Sequence, residues 1–294
     1  MLSKVTPALW LLLVAGAASA QVEVGAEAGA KVAVGERGKR HEPCGKRGGK
    51  RCFPGSMAVY APFDFRVGRW DLRGTTRSYQ PTQFTVGMNP DVTIFSHGYT
   101  NRSRVVANLG GGNSGTEWNL GGIWTFGGRL SLGQAQQGGL FGRVGLDGYL
   151  GGNSDFYHSH LELPRFELGY QLFSNSSLFV EAAGRGGLML AGRHRVFDRT
   201  RDIGFSASIG GYLTLQMQYL RVQVDALRVL EGAHEPKTPI DRAEADLCGL
   251  LGSLALCATA SSERAEVSNG QGIKTHADFI GLKLAGVNAS LSNR

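Results

Sequence analysis

Alternation of apolar and polar residues with a period of two is the feature that most constrains the fold of this chain. Between Leu220 and Ala226 every second residue is apolar, and Arg221, Gln223 and Asp225 occupy the positions between them. Successive side chains of a β-strand point to opposite faces, whereas a helix face repeats every three or four residues. The pattern therefore predicts strands with one apolar and one polar face.

Similar alternation predicts ten strands. Most are about ten to sixteen residues long, near the length that a tilted strand needs to cross a membrane and longer than typical soluble strands. The predicted strands are Val22 to Val34, Met57 to Val67, Gln83 to Phe95, Leu120 to Leu132, Leu140 to Leu150, Tyr157 to Leu172, Leu178 to Leu190, Ile203 to Leu215, Leu220 to Ala226 and Thr275 to Leu291.

The N-terminus has the pattern of a secretory signal. Lys4 precedes an apolar run from Ala8 to Ala17, and small residues follow before a predicted cut at Gln21. The run is too short to cross about 30 Å of hydrocarbon as a helix. We therefore expect a signal peptide at residues 1–20 and one β-barrel domain at residues 21–294.

The fold class is limited by the lack of a membrane-spanning helix and by the high glycine content of the chain. After Gln21 there is no apolar run long enough for a membrane helix, so a membrane-embedded form must be a closed barrel. The 44 glycines show no Gly-X-Y repeat, which excludes collagen and favours a β-rich fold with many turns. We predict an all-β fold, a closed antiparallel up-and-down transmembrane β-barrel of about ten strands, in a range of about eight to twelve.

The connections are predicted to be tight at one end and long at the other, with both termini beside the tight turns in the periplasm. The segment from Leu247 to Ala258 is apolar enough for a strand, but counting it would place the C-terminus outside the cell. We therefore assign it to a long external loop.

In this pattern the chain resembles the outer-membrane β-barrel proteins of Gram-negative bacteria. The resemblance covers nearly all of Gln21 to Arg294, and barrels of myxobacterial envelope and motility systems are similar in size and kind. It implies an outer-membrane location, contact with membrane lipid and lipopolysaccharide, and a non-enzymatic role as a narrow channel or as the anchor of a cell-envelope complex with other envelope proteins. The alternative is a soluble exported β-sandwich or β-barrel that binds a ligand in the periplasm or at the cell surface.

Charged residues on the polar face are predicted to lie inside the barrel. Two interpretations stay open for them: a pore lining that selects ions by charge, or a packed interior in which opposite charges pair and close the channel. The predicted lumen-facing residues are Arg129, Arg143, Asp147, Glu167, Glu181, Arg185, Arg221 and Asp225.

Four cysteines in an exported chain suggest two disulfide bonds. Four cysteines allow three pairings, and the spacing favours Cys44 with Cys52 and Cys248 with Cys257. We expect both bonds in external loops.

A dense basic segment surrounds the first cysteine pair. On the first external loop it would attract lipopolysaccharide phosphates or an acidic polysaccharide, although a solvated loop without a partner is equally compatible with it. Export makes nucleic acid a poor partner. The predicted anion-binding residues are Arg37, Lys39, Arg40, Lys46, Arg47, Lys50 and Arg51.

The sequence predicts no catalytic residue, no metal site and no cofactor. His158 and His160 share a strand face, but the sequence offers no clear third ligand for a metal ion. The glycine-rich segment from Leu109 to Gly115 lacks the lysine and the strand–loop–helix context of a phosphate-binding loop, so it is interpreted as a flexible loop.

Overall fold

The computed structural model describes residues 55–60, 63–74, 77–96, 98–132, 138–174, 178–230, 240–267, 273–286 and 288–292. Within these ranges there is no helix long and apolar enough to cross a membrane. The strands are β1 (Gly55–Tyr60), β2 (Asp64–Arg73), β3 (Ser78–Tyr79), β4 (Thr82–Met88), β5 (Asp91–Ser96), β6 (Tyr99–Gly112), β7 (Gly115–Leu132), β8 (Gly138–Gly152), β9 (Phe156–Ser174), β10 (Leu178–Val196), β11 (Arg199–Ile203), β12 (Ser206–Met217), β13 (Leu220–Leu230), β14 (Ile240–Leu251), β15 (Leu254–Val267), β16 (Ile273–Gly286) and β17 (Asn288–Ser292).

These strands form one antiparallel sheet that closes on itself. Each long strand pairs with its neighbours in the chain, and β16 pairs with β2 from His276 opposite Arg73 to Ala285 opposite Asp64. With β3 and β4 counted as one strand, and β11 and β12 as another, twelve strands make the barrel. The short strands β1, β5 and β17 are not included in this count. They lie together at one end of the barrel, where β1 pairs with both β17 and β5. The up-and-down β-barrel is confirmed, and the estimate of ten strands is corrected to twelve.

The predicted strand from Val22 to Val34 lies outside the described residues. One correction concerns where strands end and begin. The segment from Leu109 to Gly115 is not a loop: its first four residues end β6, and Gly115 begins β7 with a positive φ of 82°. Glycine tolerates that conformation without the steric cost of a side chain.

At the end of the barrel away from β1 and β17, the connections at positions 113–114, 153–155 and 197–198 are tight, and long loops were predicted at the last two. The segment from Leu247 to Ala258 is the hairpin of β14 and β15, in which Cys248 lies directly opposite Cys257. The Cys248–Cys257 disulfide is therefore confirmed, but it lies buried inside the barrel at the end that carries β1 and β17. Cys44 and Cys52 lie outside the described residues.

The polarity of the barrel is the reverse of that of a soluble protein. Large apolar side chains cover the outside, among them Leu168, which is 74% exposed, and Ile280, which is 70% exposed. Arg102, Arg165 and Glu162 are among the most completely buried side chains. Each strand has one apolar and one polar face, because successive side chains point to opposite sides of the sheet. In this barrel the polar face points inward and the apolar face points outward.

Apolar clusters lie inside both ends of the barrel. At the end that carries β1 and β17, Phe95 and Phe179 pack with the disulfide, Leu250 and Ala255. Toward the opposite end two clusters fill the interior. Their buried members are Leu72, Phe156, Val196 and Ala277 in one, and Met189, Ile203, Leu227, Val229, Ile240 and Ala265 in the other. The charged interior is therefore bounded at each end by apolar side chains.

The exposed apolar face yields a direct prediction. In Leu168→Arg, a charge replaces the most exposed apolar side chain of β9, and on a lipid-facing position near mid-membrane this costs about 2–4 kcal/mol. We expect less assembled barrel, measured as the heat-modifiable band on a gel, while the control Leu168→Val assembles normally. Equal assembly of the two variants would contradict an outward lipid-facing surface.

Candidate functional site in the barrel interior

The structure places all eight of the predicted interior charges on the enclosed face. Arg129, Arg143 and Arg185 are buried, and the Asp225 side chain, at 17% exposed, is the most accessible of the set. Arg129 lies over the Phe95 ring, with 5.3 Å between its guanidinium carbon and the ring centroid. The others belong to networks of ion pairs.

The central network is built around Arg143 on β8. Its guanidinium donates from Nε to Glu167 over 2.9 Å and from Nη2 to Glu181 over 2.5 Å. The Tyr212 hydroxyl donates to Glu181 over 2.6 Å, and Gln171 donates to the other Glu181 oxygen over 2.6 Å. Two carboxylates thus share one arginine and two neutral donors, which compensates for their removal from water.

A second arginine extends this network toward the opposite end of the barrel. Arg165 contacts Glu167 over 2.8 Å and Asp147 over 2.5 Å. Arg185 lies 3.4 Å from the same Asp147 oxygen and 2.9 Å from Asp225. The chain of contacts therefore joins strands β8, β9, β10 and β13 across the interior.

Toward the end that carries β1 and β17, a third group of charges adjoins the network. Asp91 accepts from Arg102 over 3.1 Å, and its second cationic neighbour is Arg221 at 3.5 Å. Arg102 also stacks over the Tyr212 ring, 4.3 Å from its centroid. The aromatic ring attracts the cation through its negative face, so Tyr212 connects the two groups.

Sequence reasoning did not assign Arg165, and the structure gives the reason. Glu162 and Arg165 both face the interior although strict alternation would send them to opposite faces. The pairing of β8 with β9 shifts register after Gly145, and Pro164 lies in the irregular segment. A β-bulge inserts a residue and reverses which positions face inward, and proline in a strand is a sequence signal of such a place.

The enclosed cavities beside these networks are small. One of about 70 Å³ is bordered by Arg66, Tyr149 and Arg242, and one of about 40 Å³ by Asn89 and Lys283. Spaces of this size hold a few water molecules. The side chains therefore leave little free space at these two places.

The predicted anion-binding segment from Arg37 to Arg51 lies outside the described residues, and its role stays a prediction.

Taken together, the geometry is that of a closed antiparallel β-barrel with an apolar exterior and an ion-paired interior. No family model and no curated protein matches the chain. Among the solved structures similar to this chain in fold are an autotransporter domain, an outer-membrane channel and a porin.

The translocator domain of the autotransporter NalP from Neisseria meningitidis has 12% identity and a TM-score of 0.33, covering 92% of this chain and 96% of that one. An outer-membrane channel from Pseudomonas putida F1 has 9% identity and a TM-score of 0.41, covering 85% and 100%. The NanC porin has 9% identity and a TM-score of 0.37, covering 76% and 98%. These values describe what the chain resembles and carry no functional argument.

Loss of the Glu167 carboxylate should lower the free energy of unfolding more than loss of the Asp225 carboxylate. Glu167→Gln removes a carboxylate that neutralises Arg143 and Arg165, whose side chains are fully buried, and breaking a buried pair costs about 3–5 kcal/mol. Asp225→Asn removes one partner of Arg185, which keeps Asp147. We expect the first variant to lower the free energy of unfolding in lipid vesicles much more than the second. Equal losses would contradict Glu167 as the centre of the network.

Proposed function

We propose that this protein is a non-enzymatic outer-membrane β-barrel whose interior is closed, and that it serves as a membrane-embedded anchor and not as an open diffusion channel. The observation that carries the proposal is the chain of ion pairs from Glu181 through Arg143, Glu167 and Arg165 to Asp147, bounded at both ends by apolar clusters.

The exterior supports the membrane part of the proposal. Leu130, Leu168, Ile209 and Ile280 are more than half exposed, and a monomeric soluble protein rarely exposes a contiguous apolar surface of that kind. In lipid, by contrast, burying these side chains is favourable, and the closed sheet leaves no unpaired strand edge along β2 and β16. These features argue against the soluble binding module. The immediate partners are then membrane lipid and lipopolysaccharide.

The interior supports the closed state. An ion that entered would have to displace Arg143 and Arg165 from carboxylates that they neutralise, leaving buried charges without partners. It would also have to pass the apolar cluster of Phe95 and Phe179, and apolar constrictions close a pore by excluding water. An anchor, unlike a channel, needs no continuous water path.

A narrow channel is the second candidate, and one observation favours it. The two small cavities both border Arg104, and a third of about 20 Å³ is lined by Arg104 together with Asp225 and Asp246. These three cavities lie along one side of the interior and could hold a single file of water molecules. Their size favours passage of water or protons over that of solutes.

Conductance separates the two functions. We expect the folded protein to give no stepwise current in a planar lipid bilayer in which an open porin, used as the positive control, conducts. Steady single-channel current from the unaltered protein would contradict a closed interior.

Location is tested separately by sucrose-gradient fractionation of the source cells. The proposal expects the protein in the outer-membrane fraction, with a gel mobility that changes on heating. Recovery in the soluble periplasmic fraction would reject the membrane part of the proposal, whatever the conductance measurement shows.

A further inference from the structure

A second polar cluster lies near the end of the barrel away from β1 and β17. His158 on β9, His194 on β10 and Glu263 on β15 are all buried, and their ligand atoms lie within 4.8 Å of one another. Nδ1 of His158 is 2.7 Å from Oε1 of Glu263, and Nδ1 of His194 contacts the same oxygen. Two imidazole nitrogens and one carboxylate oxygen therefore converge on one point.

The outer contacts of the two histidines determine where their protons lie. The Thr275 hydroxyl donates to the carbonyl oxygen of Ala265 over 3.0 Å, and a hydroxyl has only one proton to donate. At its contact with Nε2 of His194, also 3.0 Å, the hydroxyl oxygen must then accept, so the proton of the neutral ring is on Nε2. Nδ1 of His194 is left with a lone pair pointing at Glu263.

The same reasoning applies to His158 through His160. Nε2 of His160 lies 3.2 Å from Oδ1 of Asp147, and the negative charge of that carboxylate favours the proton of the ring on Nε2. Nδ1 of His160 then accepts over 2.8 Å from Nε2 of His158. Nδ1 of His158 therefore also directs a lone pair at Glu263. Three lone pairs facing one another repel unless a cation lies between them or both rings take up a second proton.

From these contacts we propose that His158, His194 and Glu263 form a buried binding site for a divalent transition-metal ion such as Zn²⁺. Two imidazole nitrogens and a carboxylate oxygen are a ligand set that zinc uses in proteins. Zinc ligands about 2.0–2.2 Å from the metal are about 3.3 Å apart in a tetrahedron, so Glu263 has to withdraw by less than about 1 Å. All the donor atoms lie within 4.8 Å of one another, so a pair near that separation also has to close by about 1.5 Å when the ion binds.

The surrounding residues fit the role of a supporting shell. Metal-binding histidines almost always donate their other ring N–H to a fixed acceptor, which sets the tautomer and the ring orientation. Thr275 and His160 occupy those positions here, and Asp147 in turn holds His160. Phe156 packs edge-on against His194 with 6.0 Å between ring centroids, which adds an apolar wall.

The cluster also contains a hydroxyl, an imidazole and a carboxylate in series, as in a catalytic triad. Thr275 and His194 have no exposed surface, and the Thr275 hydroxyl already donates to a backbone carbonyl. A substrate has no access to that oxygen, whereas a metal ion can be enclosed during folding. A bound ion would tie β9, β10 and β15 together across the interior, independently of whether the barrel conducts.

The test uses Zn²⁺ itself as the probe. The full-length barrel is unfolded with a chelator, refolded with or without Zn²⁺, desalted and assayed for metal content. We expect about one zinc per chain and a higher melting temperature for the zinc-loaded form. Glu263→Gln, which keeps the size of the side chain, should lower the affinity for zinc at least about tenfold. The control His276→Gln, on β16 outside the cluster, should bind as the unaltered protein does.

Refolding with Co²⁺ gives a readout that needs no variant. Coordination by nitrogen and oxygen ligands should produce visible absorption that Zn²⁺ displaces. A folded barrel without stoichiometric metal and without that absorption would overturn the proposal and leave a cluster of protonated histidines around Glu263. Equal zinc binding by Glu263→Gln in folded protein would overturn it as well.

Discussion

Closure of the sheet through the β16–β2 pairing is the constraint on which the other features depend. A sheet with open edges exposes unpaired backbone groups, which lipid cannot satisfy, whereas twelve strands in a ring pair every wall strand on both sides. Once the edges are gone, the exterior can be apolar throughout, as at Leu168 and Ile280. The polar half of each strand is then forced inward, and the interior has to accommodate the charges that the alternation places there.

Inside the barrel, buried carboxylates and arginines neutralise one another. Glu167 receives both Arg143 and Arg165, Asp147 receives Arg165 and Arg185, and the result is a chain of contacts instead of isolated pairs. Each buried ion loses its hydration, so such a chain stabilises the fold only when its members stay together. The arginine network and the histidine cluster meet at Asp147. This carboxylate contacts Arg165 on one side and His160 on the other.

Much of the barrel could be predicted from the period-two pattern, because outward and inward residues alternate regardless of their partners. The pattern failed where the alternation breaks. Pro164 marks the bulge that brings Arg165 inward, and the assumption of long loops hid the β14–β15 hairpin around Cys248 and Cys257. The histidine cluster was out of reach for a different reason. Its members are far apart in the chain, and only the curvature of the closed sheet brings Glu263 to His158 and His194.

The central claim is that the apolar outer face lies in lipid while the interior does not. Quenching of tryptophan fluorescence by lipids brominated on their acyl chains tests it directly, because Trp124 lies on the outer face at 41% exposed and Trp70 packs inside against Phe156 and Phe279. In vesicles, a variant that retains Trp124 as the barrel's only tryptophan should be strongly quenched. One that retains only Trp70 should be nearly unaffected. Equal quenching of the two, or an unquenched Trp124 in folded protein, would contradict the account.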